Sequence, residues 1–176
     1  MGHIPSSHFH PNEDVEFHVE PSFSTITLSR LIVCFIGLGR RDLAKPLKEV
    51  LLKRDLSVTK DEPYVLEIAR AFYNCDAFKT TKVFLEKLQQ WSNYNNNAET
   101  WFIYGNTAAA LKDSSTAMES FERVLQINPG HVDARINLSG LQQKMGLSER
   151  ALENIARSRS RYLYSPTRRA STYSTS

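Results

Sequence analysis

Ala98-Glu99-Thr100-Trp101-Phe102-Ile103-Tyr104-Gly105-Asn106-Thr107-Ala108, followed by Ala117-Met118-Glu119-Ser120-Phe121 and by Asn128-Pro129, is the stretch that decides the fold. Trp101, Tyr104, Gly105 and Ala108 recur at i, i+3, i+4 and i+7, which puts them on one stripe of a helix. Ala117, Phe121 and Val124 repeat that spacing on a second helix. Between the two lies Asp113-Ser114-Ser115-Thr116, residues that favour helix starts over helix interiors. Thr116-x-x-Glu119 has the form of a capping box. Pro129 cannot continue a helical hydrogen-bond ladder and ends the second helix. Gly105 and Ala117 present almost no side chain, so the two helices can cross at short range.

Counted from Ala98, Trp101 is position 4, Tyr104 is 7, Gly105 is 8, Ala108 is 11, Ala117 is 20, Phe121 is 24 and Pro129 is 32. That is the spacing of a tetratricopeptide repeat (TPR), with Tyr104 in place of Leu and Ala108 in place of Tyr. The register extends both ways. A unit from Val132 puts Leu138, Ser139, Ala151 and Ile155 at positions 7, 8, 20 and 24, with Gly146-Leu147-Ser148 as the turn, Ser148 as expected N-cap and Arg135 at position 4. A unit from Glu62 puts Val65, Ile68, Ala69, Phe72, Thr81, Leu85 and Leu88 at positions 4, 7, 8, 11, 20, 24 and 27. Its link to the next unit is two residues longer, within Asn93 to Asn97. A first unit starts near Thr25, with Leu28, Leu31, Ile32, Phe35, Ala44 and Leu51 in the same register.

The expected fold is all-α: a right-handed TPR solenoid of about four antiparallel helix pairs over residues 24–158, stabilised by packing between neighbouring repeats. The repeats lie near 25–61, 62–97, 98–131 and 132–158. Residues 1–23 read as a flexible acidic, His-containing head, and 159–176 as a basic, Ser/Arg-rich disordered tail. With no further helix pair to cover it, the fourth repeat should expose an apolar strip at Leu152 and Ile155, covered in part by Tyr162-Leu163-Tyr164 or by a partner.

The net charge of +3 is unevenly spread. Residues 157–176 hold five Arg and no acid, whereas the head holds Glu13, Asp14, Glu16 and Glu20 and no Lys or Arg. The body between them is close to neutral, which argues against sequence-specific nucleic-acid binding, since that needs clustered cations to displace counterions. The most apolar run, Leu31 to Leu38, is about half the ~20 residues of a membrane span, so no membrane partner is expected. Cys34 and Cys75 sit in apolar helical patterns and read as buried free thiols. Glycine-rich phosphate loops, HExxH and GxSxG are absent from the sequence, and no Cys/His pair has a plausible orienting group. His8-x-His10 lacks completing ligands. The expectation is a non-enzyme without cofactor or metal.

In a TPR array the first helices line a groove that takes extended or helical peptides. Positions 2, 5, 6, 9, 12 and 13 face it. They include Leu66, Arg70, Tyr73 and Asn74 in the second repeat, and Glu99, Phe102, Asn106 and Ala109 in the third. In the fourth they include Asp133, Ile136, Asn137, Gly140 and Lys144. Asn106 and Asn137 match two elements of the clamp by which chaperone-binding TPR domains hold a carboxylate, but Phe102 stands where that clamp needs Lys. Ser165, before Pro166, and Ser171, after Arg168-Arg169, are candidate phosphorylation sites.

Asn128-Pro129-Gly130-His131-Val132-Asp133-Ala134-Arg135-Ile136-Asn137-Leu138-Ser139, with Leu141-Gln142-Gln143-Lys144-Met145-Gly146 and Glu149-Arg150-Ala151-Leu152-Glu153, resembles the TPR-containing subunit of general transcription factor IIIC. The signature covers about 25 residues within the looser TPR pattern of the array. The resemblance implies a short or truncated form of a nuclear scaffold of RNA polymerase III transcription initiation. Its implied partners are other factor IIIC subunits and components of initiation factor IIIB. The alternative is a general cytoplasmic TPR adaptor or co-chaperone that binds peptides in its groove.

Overall fold

The computed structural model describes residues 23–163, with side chains to residue 156. The expected head, Ser165 and Ser171, and any cover from Tyr162-Leu163-Tyr164 lie outside the described residues or their side chains. Nine α-helices are described: α1 Thr25–Gly37, α2 Arg41–Leu52, α3 Glu62–Asn74, α4 Phe78–Leu88, α5 Ser92–Asn95, α6 Ala98–Ala110, α7 Ser114–Ile127, α8 Val132–Lys144 and α9 Ser148–Leu163. There is no strand among the described residues. The first helices α1, α3, α6 and α8 start at the residues expected to open each repeat. Each second helix starts sixteen residues later.

That constant offset has a local cause. Every intra-repeat turn contains one residue with left-handed backbone, Gly39 (φ 73°), Asp76 (φ 56°), Lys112 (φ 63°) and Gly146 (φ 77°), all at position 15. Around each, the same two bonds close the helix. The N–H of the following residue reaches back five residues (Arg40 to Phe35, Ala77 to Phe72, Asp113 to Ala108, Leu147 to Gln142; 2.8–2.9 Å). The N–H of the left-handed residue itself reaches back three, as in Lys112 to Ala109 at 3.0 Å. This is a Schellman closure, which satisfies the orphan carbonyls and turns the chain back.

Packing then follows the register. One core runs from Leu28 to Tyr104 through the first two repeats, and a second holds Ala108, Ala117, Phe121, Val124, Ala134 and Leu138. Trp101 packs against both and so joins the second repeat to the third. Its indole N–H donates to the Asn95 carbonyl at 2.7 Å. Tyr104 extends from the third repeat to Glu86 on α4, O–H to Oε1 at 2.9 Å. Burial, and then Glu86, push its phenol pKa above the ordinary value. A Cβ on Gly105 would lie 2.8–3.1 Å from three ring atoms of Phe121. So position 8 is glycine because position 24 is a buried phenylalanine, and Ala117 and Ala108 are sealed beside it.

Several expectations are corrected. The extra residues before the third repeat form α5 and place Tyr94 wholly inside the core. A 3-10 turn, Thr59–Asp61, precedes α3, and Leu56 in the same linker is buried. The cap of α7 is Asp113, whose carboxylate accepts from the Thr116 N–H at 3.2 Å, not a Thr116/Glu119 box. Ser148 is the first residue of α9 rather than a residue before it. Backbone helix continues to Leu163, past the end of the array expected at 158 and into the expected tail. Cys34 is exposed and Cys75 half-buried. Pro129 does end α7, holding Asn128 at φ −127°, ψ 88°, because the residue before proline avoids the helical region. The strip at Leu152 and Ile155 is exposed.

Candidate functional site

The first helices lie side by side and form one continuous face. Each joint along it carries one lateral contact. Between α1 and α3 the Arg30 guanidinium sits 5.4 Å from the centre of the Tyr64 ring, a cation–π distance. Between α3 and α6, Arg70 Nε donates to Glu99 Oε1 at 3.1 Å. Between α6 and α8, Asn137 Nδ2 donates to Asn106 Oδ1 at 3.0 Å. These pairs are exposed or half-buried, so they fix the spacing of the helices more than they stabilise the fold.

The residues expected in the groove divide three ways. Arg70, Asn106, Asn137 and Glu99 come together in the lateral pairs. Asn74 and Lys144 are exposed, as are Asp133 and Ile136. Tyr73 is half-buried and meets Phe78 edge-on at 5.4 Å. Phe102 is half-buried between the Phe121 ring (6.0 Å) and His131 (4.6 Å). Leu66 is a correction: it is buried in the first core and offers nothing to a ligand. Arg30 and Tyr64 are additions. Arg30 holds position 6 of the first repeat, so the positional rule reaches it once the first repeat is included.

Chemically the face can hold a peptide backbone. In the Asn106–Asn137 pair one amide carbonyl and one N–H2 group are used; the Asn106 amino group and the Asn137 carbonyl remain as a donor and an acceptor. Phe102 and Tyr73 supply apolar area, and Lys144 a cation. His131 is occupied in capping, Nδ1 accepting from the Ala134 N–H at 3.2 Å. Among the described residues there is no cluster of three or more His, Cys, Asp or Glu placed to hold a metal. No described helix is long and apolar enough to cross a membrane.

The backbone superimposes on solved structures of MamA. One MamA structure gives a TM-score of 0.63, covering 88% of this chain and 81% of that one at 16% identity. A second gives 0.61, covering 77% and 76% at 16% identity. The chain is a TPR-like helical solenoid. At that identity the likeness concerns fold alone. In sequence, the chain is 32% identical over 126 residues to the human protein General transcription factor 3C polypeptide 3. The match takes in 72% of this chain and 14% of that protein, so the chain spans about a seventh of its relative. No protein-family model matches the chain. The relative is a transcription factor polypeptide.

Proposed function

We propose that this chain is a non-catalytic protein–protein scaffold related to the TPR subunit of transcription factor IIIC, acting in the nucleus in RNA polymerase III initiation. The observation that carries the protein-binding part is the face of α1, α3, α6 and α8. It is held by three lateral pairs and leaves an unused amide donor and acceptor at Asn106 and Asn137. The factor IIIC part rests on the sequence likeness to the human relative. Other factor IIIC subunits and components of initiation factor IIIB are the partners this reading assigns. Arg70, Tyr73, Asn74, Phe102, Asn106, Asn137 and Lys144 are the residues assigned to contact them. Ser165 and Ser171 are assigned as phosphorylation sites on the basis of sequence.

Affinity purification of the tagged chain from nuclear extract tests both parts. Factor IIIC subunits should co-purify, and Asn106→Ala with Asn137→Ala should reduce their recovery while leaving the helical signal unchanged. Recovery of chaperone C-terminal peptides without factor IIIC subunits would replace this reading with the general adaptor. Phe102, tilted against His131 where a clamp would need Lys, disfavours that outcome.

A further inference from the structure

The exposed charges of the second helices are sorted by sign along the chain. On α2 and α4, Glu49 is shared by lysines from both helices. Lys48 Nζ lies 3.2 Å from Glu49 Oε1 and Lys87 Nζ 3.8 Å from Oε2. Lys48 chiefly, with Lys87 and Lys45, holds the Glu49 carboxyl below the ordinary carboxylate range. Three lysines meet one glutamate, so positive charge is in surplus there. Lys53 extends the row one turn beyond Glu49. Neither Lys45 nor Lys53 forms a direct ion pair among the described residues. The other charges nearby on α4 are engaged elsewhere: Lys82 with Asp113 at 3.3 Å, and Glu86 with the Tyr104 hydroxyl. Lys45, Lys53 and Lys87 are exposed. On α7 the exposed charges are Glu119 and Glu122. The lysine row spans an inner joint, between the first and second repeats, rather than an end of the array.

The chain itself supplies an acidic segment next to this row. Residues 1–22 hold Glu13, Asp14, Glu16 and Glu20 and no Lys or Arg. They join the fold at Phe23, whose carbonyl accepts from Arg54 Nη1 just past the end of α2. Arg54 adjoins Lys53, so the segment begins at one end of the lysine row. Spacing then matches charge. In an extended chain Asp14, Glu16 and Glu20 fall on one side, with Glu16 and Glu20 about 13 Å apart. Along a helix, Lys45 and Lys53 lie about 12 Å apart. The three residues from Phe23 to Glu20 span about 10 Å when extended, enough to bring Glu20 to Lys53. Glu16 then meets Lys45, Lys48 and Lys87.

We infer that residues 13–20 of this chain lie along α2 over Lys45, Lys53 and Lys87, as an acidic strap on the second helices. So short a tether keeps the segment at high effective concentration beside the row. That favours the row over the arginines of residues 157–176, which follow the last repeat. The strap closes the lysine row to other anions and leaves the face of α1, α3, α6 and α8 free, so it stands independently of the partners assigned to that face.

Amide NMR spectra of the full, isotope-labelled chain test it. Glu13→Gln/Asp14→Asn/Glu16→Gln/Glu20→Gln should shift the amides around Lys45, Lys53 and Lys87 and leave those of α7 in place. Sodium chloride at about 0.5 M, which screens exposed charges beyond a few ångströms, should move the same signals of the unaltered chain toward their positions in that variant. Conversely, Lys45→Gln/Lys53→Gln/Lys87→Gln should shift the amides of residues 15–19 with an unchanged helical signal, since all three lysines are exposed. Were the lysine variant to lose helix, the carboxylate variant, whose substitutions lie outside the described residues, decides alone. All these shifts should be independent of protein concentration. Three results would each overturn the inference: amides of the lysine row unmoved by the carboxylate variant, shifts confined to residues 157–176, or shifts that vary with protein concentration and so report contact between copies.

Discussion

Phe121 in the third repeat and Ile155 in the fourth hold the same position on the same kind of helix, one sealed and one open. Around them the two repeats diverge. The third enters its neighbour with Trp101, Tyr104 and Ala108. The fourth uses Arg135, Leu138 and Gln142 at the same positions, and its Arg135 Nη2 donates to the Pro129 carbonyl at 2.6 Å. Asn154 Nδ2 donates to Gln142 Oε1 at 2.8 Å, at positions where the third repeat has the small residues Ser120 and Ala108. The difference separates two roles that one repeat pattern combines. The turn at position 15 and the small residues at position 8 set the register and are present in both. The residues at positions 4, 7 and 24 set how firmly a repeat is held: Trp101, Tyr104 and Phe121 in the third, against Arg135, Leu138 and Ile155 in the fourth.

The two repeats differ most at position 24, sealed in the third and open in the fourth. Phe121→Ala should lower unfolding free energy by about 3–5 kcal/mol, the range for removing a sealed aromatic ring. Ile155→Ala should change it by no more than about 0.5 kcal/mol, as for an exposed side chain. Urea titration of the two variants decides it, and similar losses would refute the contrast.

A smaller effect is expected at the α7 cap. Asp113→Ala should cost about 1 kcal/mol, the usual worth of a side-chain N-cap. The Asp113 carboxyl is held below the ordinary carboxylate range, chiefly by Thr116 and also by Lys82 at 3.3 Å. A depressed folded pKa means that this contribution is present above the unfolded value and fades as pH falls below it. The gap between the unaltered chain and the variant should therefore be full at neutral pH and shrink below about pH 4. A gap that grows on acidification would show that Asp113 does not act as an ionised cap.

The smallest effect concerns the turns. Lys112→Gly should stabilise the third repeat by less than about 1 kcal/mol, because left-handed backbone strains every residue except glycine, while the added freedom of the unfolded chain offsets part of the relief. Thermal melting would show it as a slight rise, and a fall would mean that the Lys112 side chain contributes more than its backbone conformation costs.

Much of this fold was legible in the residues. The stripe at positions 4, 7, 8 and 11 located the first helices of the first three repeats, and Leu138, Ser139, Ala151 and Ile155 at positions 7, 8, 20 and 24 located the fourth repeat, since helical periodicity and burial are one signal. Gly146 announced one of the turns, and Gly39 is a glycine at the same position of the first repeat. Asp76 and Lys112 hid the other two, because nothing in an aspartate or a lysine demands left-handed backbone. The helix α5 was hidden for a related reason: Tyr94 lies in a run of amides that reads as a polar linker. Cys34 looked buried because its neighbours are apolar, yet it lies on the uncovered edge of α1. Position counting found Arg70, Asn106 and Asn137 on the inner face. It misplaced Leu66, whose hydrophobicity draws it into the core from a position that carries Phe102 in the third repeat.

Register comes from small residues where large ones must nest, and two glycines probe this: Gly105 at position 8 of the third repeat and Gly140 at position 9 of the fourth. Thermal unfolding of Gly105→Ala and Gly140→Ala should move in opposite directions. At Gly105 the new methyl meets the Phe121 ring, and overpacking of this kind costs about 1–3 kcal/mol. At Gly140 nothing lies within 4 Å, and gaining the helix propensity of alanine is worth about 0.5–1 kcal/mol. A lower melting temperature for the first and a higher one for the second is the predicted result. Two shifts of the same sign would contradict it.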